Sequence, residues 1–302
     1  MILSSQIIKQ QAHLCGFGIC GIAKQKQLTL EKERFKKSIS QNLHAQKSYL
    51  ERDIDKRFHP ELLLDNCKSV VVCGFNYNIG NIIRQPEERL KISKYAQIKD
   101  YHIFVKEKLE KLAKNLQEIY GVFKYKTTVD SSVISEKSWA VQAGIGYYGK
   151  NGVIQTPLGS FVFFGTLLIA EEADSYDAPN QNSCKNCSKC ITACPTNAIV
   201  APYQIDCKRC ISHITLDKKE TDFSDIAKYG WIVGCDECQI ICPNNTHAPV
   251  NEDAVALKAP FFDNKNEILT NLSPDSFELF FKDTAIYKLK YEGLKRRVEC
   301  SL

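Results

Sequence analysis

Residues 184–195 read CKNCSKCITACP, which sets Cys184, Cys187, Cys190 and Cys194 at a C-x2-C-x2-C-x3-C-P spacing. The two-residue gaps let three thiolates converge on one iron–sulfur cubane while the loop backbone donates hydrogen bonds to its sulfides. The fourth cysteine, followed by proline, reaches across to a second cluster. A looser copy, GCDECQIICP over residues 234–243, supplies Cys235, Cys238 and Cys242, with its missing ligand drawn from Cys210 or Cys207. The economical assignment is the ligand swap of two-cluster ferredoxins. It gives Cys184, Cys187, Cys190 and Cys242 to one [4Fe–4S] cluster and Cys194, Cys210, Cys235 and Cys238 to the other. Structural zinc also uses C-x2-C pairs, but two C-x2-C-x3-C-P endings fit paired cubanes better.

The wider composition supports metal ligation over disulfides. The chain has 302 residues and 14 cysteines, nine of them between Cys184 and Cys242, and its first residues lack the continuous apolar core of a signal peptide. Cys15, Cys20, Cys67, Cys73 and Cys300 show no ligand spacing and read as small packed hydrophobes. A hydrophobic fraction of 44% and a charged fraction of 25% describe an ordinary globular chain rather than a disordered one. The net charge of +5 is compatible with a polyanionic partner without demanding one. The most apolar stretch, residues 161–170, has roughly half the length a bilayer-crossing helix needs and reads as a buried strand. A cytoplasmic protein with no membrane partner is expected.

Outward from the cysteines, the preceding residues alternate between helical and extended patterns. Ile7, Ile8, Ala12 and Leu14 give a short helical face, and residues 19–23 follow as a strand. SVVVCGFNY, residues 69–77, has the β-branched apolar start of a buried strand. Val105, Leu109, Leu112, Leu116 and Ile119 recur at three- and four-residue steps, which predicts an amphipathic helix over residues 102–120. Residues 123–129 alternate as a strand, and a helix starts near Ser135. Residues 153–156 and 161–170 flank a Pro-Leu-Gly-Ser turn and predict a hairpin. The expected architecture is α+β: an N-terminal α/β domain over residues 1–170, a linker over 171–183, a ferredoxin-like two-cluster domain over 184–245, and a helical tail over 246–302.

Several segments in a fixed order carry a family resemblance. They are Lys94-Tyr95-Ala96 with Asp100-Tyr101-His102, then Val129-Asp130-Ser131, then AGIGYYGKN over residues 143–151, then Gly159-Ser160-Phe161. The first cysteine segment, Arg209-Cys210-Ile211-Ser212 and GCDECQIICPNN complete the series. Together the chain resembles the epoxyqueuosine reductases of transfer-RNA modification. The resemblance implies a nitroreductase-like N-terminal fold and a cobalamin bound there with no histidine beneath the cobalt. The chain fits this, since it lacks the D-x-H-x-x-G pattern of many other B12 proteins. It also implies reduction of the epoxide on a tRNA wobble base to the cyclopentene of queuosine. Many family members continue into a helical-repeat domain, so the chain resembles a short form.

The resemblance points to Asp130 as proton donor, at the end of an apolar strand where a turn aspartate would otherwise be read. That role requires a carboxyl pKa raised by burial or neighbouring anions. It further implies cofactor contacts from Arg57, Glu136, Lys150, Asn151, Ile154 and Thr215. His102 reads as a packed or satisfied histidine. For tRNA phosphates the candidates are Lys185, Lys189, Lys208 and Arg209 beside the clusters, and Lys288, Lys290, Lys295, Arg296 and Arg297 in the tail, each of which taken singly reads as a solvated surface charge. The expected partners are a tRNA with a queuosine-type anticodon and a low-potential electron donor, acting on a monomer. The rival readings are another cobalamin and iron–sulfur reductase (a dehalogenase or a corrinoid activator) and a non-enzymatic electron carrier. The carrier leaves the large N-terminal domain without a purpose.

Overall fold

The computed structural model describes residues 1–45, 47–80, 89–130, 133–216 and 222–302. Its central sheet has four strands: β1 (Ile19–Lys24), β2 (Ser69–Asn76), β3 (Tyr125–Thr128) and β4 (Val162–Ile169). Their spatial order is β1-β2-β4-β3, and every pair is antiparallel. Strand β2 reads as a continuous apolar run because both of its faces are covered. Val71, Cys73 and Phe75 face one core with helices α1 (Ser5–Leu14) and α2 (Tyr101–Tyr120). Val70 and Val72 face a second core with α3 (Glu136–Gln142). Strand β4 alternates likewise, with Leu167 and Ile169 on the first side and Leu168 on the other.

Helix α2 is the longest element, and its start matters to the site. The Asp100 side chain caps it by accepting from the His102 amide at 3.1 Å. Val105, Leu109, Leu112 and Leu116 are fully buried, each contributing about 1.5–3 kcal/mol by leaving water. Ile119, expected on the same face, is exposed in the last turn. Gly121, with φ of +84°, ends the helix in a conformation that favours glycine.

The expected hairpin does not form. Thr156 and Gly159 close the turn by exchanging backbone hydrogen bonds at 3.0 Å. Strand β4, however, is already paired on both edges, with β2 and β3. The short strand Ile154–Gln155 pairs instead with Tyr147–Tyr148. Nor do residues 171–183 behave as a loose linker. Glu172–Ala173 lie parallel to Ile2–Leu3, the Asp177 carboxylate accepts from the Ile22 amide at 2.8 Å and from Lys9 at 2.6 Å, and the Asn180 amide donates to the Val141 carbonyl.

The described residues of the cysteine-bearing segment form short helices, including α4 (Lys189–Ala193), α5 (Ile211–Leu216) and α6 (Glu237–Ile240). The tail contributes α7 (Pro274–Phe281) and α8 (Lys290–Ser301). It builds a further core in which Phe277, Phe281, Leu294 and Val298 enclose Ile92 and Ile232. Those two belong to paired parallel strands, Lys91–Ile92 and Trp231–Val233. The tail thus clamps the N-terminal part to the cysteine segment. Among the described residues no helix is long and apolar enough to cross a membrane. Cys15, Cys67 and Cys73 are buried and Cys20 is half-buried, as expected of packing cysteines, whereas Cys300 is exposed in the last turn of α8.

Candidate functional site

Asp130 stands just past β3, after Val129, and holds a left-handed backbone, φ of 42°, that non-glycine residues adopt at a cost. Three contacts hold it there. Its amide donates to Glu136 Oε1 at 2.6 Å, its carboxylate Oδ2 lies 2.9 Å from His102 Nε2, and the Tyr101 hydroxyl bonds the same carboxylate. His102 Nδ1 lies 2.5 Å from Asp100 Oδ1 and 3.1 Å from Lys288 Nζ. Tyr101 is itself fixed by stacking on Phe163 of β4, with ring centroids 4.0 Å apart. Cap, helix start and strand end therefore converge on one line, Asp100–His102–Asp130. The Asp130 side chain is 63% exposed at its end, so the line opens on solvent. Ser131 of the family segment lies outside the described residues.

The charge states of this cluster run against the expected raised aspartate. Asp130 is lowered, first by the His102 hydrogen bond, which outweighs burial. Burial would lower His102, but hydrogen bonds from Asp100 and Asp130 overcome it and raise the ring to about 9. Burial would raise Asp100, yet the same imidazole brings it down to about 2. The carboxyl that does rise is Glu136, pushed to about 8 by burial and then by the Asp130 charge. At neutral pH His102 is thus an imidazolium donating from both nitrogens, Asp130 is ionised, and Glu136 keeps a proton.

The residues expected to contact a cofactor divide into two groups. Arg57 and Glu136 lie together beside Asp130. Arg57 donates to the carbonyls of Tyr49 at 2.9 Å and Val133 at 3.3 Å, while its Nε is buried without a partner among the described residues. Lys137 extends this rim by donating to the Gly152 carbonyl at 3.0 Å, which brings the glycine loop alongside. An orphaned guanidinium donor, a protonated carboxyl and a glycine loop are a donor set that suits the amide-fringed edge of a corrin. The remaining residues make contacts within the scaffold. Lys150 Nζ donates to the Lys185 carbonyl at 2.7 Å, and Asn151 Nδ2 to the Cys238 carbonyl at 3.3 Å. Ile154 is fully buried in the second core. Thr215 is fully buried too, donating to the Ile211 carbonyl and accepting from the Gly234 amide.

The cysteines gather into two neighbourhoods. Burial raises the Cys190 thiol, and the thiols of Cys184, Cys242 and Cys187 beside it raise it further. Cys242 is raised by burial and by Cys184 and Cys187. In the other neighbourhood burial pushes Cys235 well up, with Cys238 and Cys210 close by. Cys210 in turn lies near Cys207 and Cys194. Cys238, also raised by burial, has Cys210, Cys190 and Cys194 around it, so it stands where the two groups meet. Among the described residues no three such side chains converge as tightly as a single ion needs. A zinc ion holds its sulfurs at about 2.3 Å, whereas a cubane binds each thiolate through a different iron and spreads its ligands further. The two neighbourhoods therefore fit two cubanes. Cys207 stands at their edge, its amide bonded to the Leu43 carbonyl at 2.9 Å.

Polar anchors join this segment to the sheet domain. The buried Asp236 carboxylate accepts from Ser93 Oγ at 2.5 Å and the Lys94 amide at 2.7 Å. Ser160 donates to Gln239 at 2.9 Å and accepts from Asn245 at 2.8 Å. Of the basic candidates, Arg297 is a core residue, 2% exposed, bonded to the Thr215 and Gly293 carbonyls and lying over the Phe223 ring. Sequence reasoning missed Asp100, Tyr101 and Lys288 as parts of the Asp130 cluster and left His102 as mere packing. The available signal was Asp-x-His at a helix start, which places a cap and an imidazole on one turn.

With that geometry in view, comparison with known proteins is informative. The family model for "Epoxyqueuosine reductase QueG, DUF1730" matches residues 57–131, and that for a "4Fe-4S double cluster binding domain" matches residues 183–245. The epoxyqueuosine reductase of Cyclobacterium marinum is 34% identical over 298 residues, covering 97% of this chain and 95% of that protein. The Cellulophaga algicola enzyme is 35% identical, covering 98% and 97%. A crystal structure of epoxyqueuosine reductase with an epoxyqueuosine-modified tRNA-Tyr stem loop superposes with a TM-score of 0.86 at 28% identity, over 98% of this chain and 80% of that one. The relatives are matched over nearly the whole of this chain, and it belongs to the epoxyqueuosine reductase family.

Proposed function

We propose that the chain is an epoxyqueuosine reductase, acting as a monomer in the cytoplasm on tRNA that carries epoxyqueuosine at the wobble position. The reaction consumes two electrons and two protons, breaks the epoxide carbon–oxygen bonds, and leaves an alkene and water. Residues 1–170, in a nitroreductase-like fold, hold cobalamin and the reacting base. Cys184, Cys187, Cys190 and Cys242 ligate one [4Fe–4S] cluster, and Cys194, Cys210, Cys235 and Cys238 the other. Bound cobalamin supplies a centre able to hold two electrons where the clusters pass them singly. Arg57, through its unpartnered Nε, and Glu136, through its protonated carboxyl, are the residues that would hold its edge.

The observation that carries the proton chemistry is the Asp100–His102–Asp130 line, open to solvent at Asp130. Negative charge develops on the oxygen as the epoxide opens, and an acid beside it lowers that barrier. His102 and Asp130 share one mobile proton, so the pair acts as a neutral acid whose delivery point is the Asp130 carboxyl. Asp100 and Lys288 set the imidazole's orientation and charge. Lys288 stands at this mouth through His102 and Asp100, and with Lys290, Lys295 and Arg296 of the tail it suits tRNA phosphates. The decisive experiment is anaerobic reconstitution with clusters, cobalamin and a strong reductant, followed by mass spectrometry of the tRNA nucleosides. Loss of one oxygen from the modified guanosine is the expected result. An unchanged nucleoside from fully loaded protein refutes the proposal.

A further inference from the structure

The two thiol groups meet solvent differently. Lys185, Asn186, Ser188 and Lys189, interleaved with the cysteines of the first group, are all exposed. In the second group, Asp236, Glu237 and Gln239 around Cys235 and Cys238 are buried, while Lys208 and Arg209 beside Cys210 are exposed. Cys238 stands near thiols of both groups. Beyond the second group, the Asp236 side chain bonds the turn that carries Tyr95, and Tyr95 lies between Asp236 and the Asp100–Asp130 cluster. From the first group, the order towards Asp130 is the second group, then Asp236 and Tyr95.

The surface there has a distinct composition. None of the chain's 35 acidic residues falls within residues 178–205 or 238–251, the two stretches that carry the first group. Lys185 and Lys189 stand on it, and Lys150 joins them through its bond to the Lys185 carbonyl. Beside Cys242, Ile241 is 37% exposed. Tyr203, half-exposed and with φ of 70°, sits at the tip of the hairpin between Ile199–Ala201 and Gln204–Ile205. Tyr147 lies between Tyr203 and Cys184. Apolar and aromatic side chains with lysines beside them suit a negatively charged protein surface.

We propose that this face is the docking surface for a small acidic one-electron carrier protein that reduces the outer cluster. Each encounter oxidises the carrier's centre by one electron and reduces the outer cluster by one, so two encounters supply one epoxide reduction. An RNA on the same face would hold its bases at the thiols farthest from Asp130, which is why the carrier is the better occupant. The purpose of docking rests on the proposed reductase reaction, but its test does not.

The test uses cluster-loaded protein and an acidic plant-type [2Fe–2S] ferredoxin, a low-potential one-electron carrier. Ferredoxin affinity should fall at least about tenfold between about 20 and 200 mM salt, since the contact is a screened charge pairing. The double variant Lys185→Glu, Lys189→Glu should weaken binding and slow cluster reduction by ferredoxin at least about tenfold. Cluster reduction by dithionite should stay at the wild-type rate. Salt-independent ferredoxin binding, or a double variant that keeps wild-type ferredoxin-driven reduction, overturns the proposal. Because binding and cluster reduction are read without epoxide, their failure is distinct from failure of the reductase reaction.

Discussion

The central sheet and the cysteine segment are held together by different means. Strands β2 and β4 run eight residues each, paired on both edges and packed on both faces. Helices α4, α5 and α6 span five, six and four residues, far too short to persist by propensity alone. Around them stand eight thiols in two groups, several raised by burial and by one another. Such an arrangement favours neutral thiols, and only a bound metal centre repays their ionisation. The sheet is specified by a hydrophobic pattern, the cysteine segment by its ligands, and the tail core of Ile92, Ile232 and Phe281 locks one to the other.

Removing the clusters should break this contrast most sharply. Chelation of iron under mild acid is expected to abolish turnover and to expose the amides of α4, α5 and α6 to rapid hydrogen exchange. The β2 and β4 amides should remain protected. Equal loss of protection in both regions would mean that the sheet, too, depends on the clusters. Next in size is Asp130→Asn. It should lower kcat by about 10²–10⁴, the usual weight of a positioned general acid, with iron, sulfide and cobalamin content unchanged. Wild-type turnover in that variant would remove Asp130 from the chemistry. On the sheet side, Leu112→Ala empties a fully buried site beneath β4 and should cost about 2–5 kcal/mol in unfolding free energy. The cluster spectrum should be untouched, since α2 does not reach the thiols.

Much of the sheet was legible in the sequence because its signals are local. The valine run of β2, the three- and four-residue spacing in α2 and the glycine after Tyr120 each reflect a single element's own burial or geometry. The thiol groups were legible for the same reason, since Cys184, Cys187 and Cys190 of one group, and Cys235 and Cys238 of the other, stand at two-residue gaps. What escaped was set by pairing at a distance. Residues 153–156 look like one arm of a hairpin until β3, about 30 residues earlier in sequence, occupies the free edge of β4. Arg297 reads as surface charge, and only the fold brings the Thr215 carbonyl and the Phe223 ring to it. The required sign of the Asp130 shift was misjudged because His102 lies 28 positions away, and no local pattern tells which carboxylate an imidazole will meet.

That misjudged sign leads to the smallest expected effect, and to the one most specific to this site. His102 has its pKa raised to about 9 by Asp100 and Asp130, against about 6.5 when unfolded. A raised histidine contributes stability that is fully present below about pH 6.5 and is lost as pH climbs through about 9. Glu136, raised to about 8, acts in the same direction between its unfolded value and about 8, since the folded state there holds a proton the unfolded state has released. Both groups make the protein less stable as pH rises. Between about pH 8 and 9, however, only the histidine still titrates. His102→Gln should therefore flatten the stability profile in that upper interval and leave the Glu136 slope beneath it. Asp130→Asn should do more, because removing its charge lowers both the imidazole and the Glu136 carboxyl. The His102 ring resonances, followed by NMR, report this directly. A midpoint near 9 in the wild type and a fall in Asp130→Asn are expected. An unmoved midpoint would show that Asp100 alone holds the proton and that the line to Asp130 is not connected.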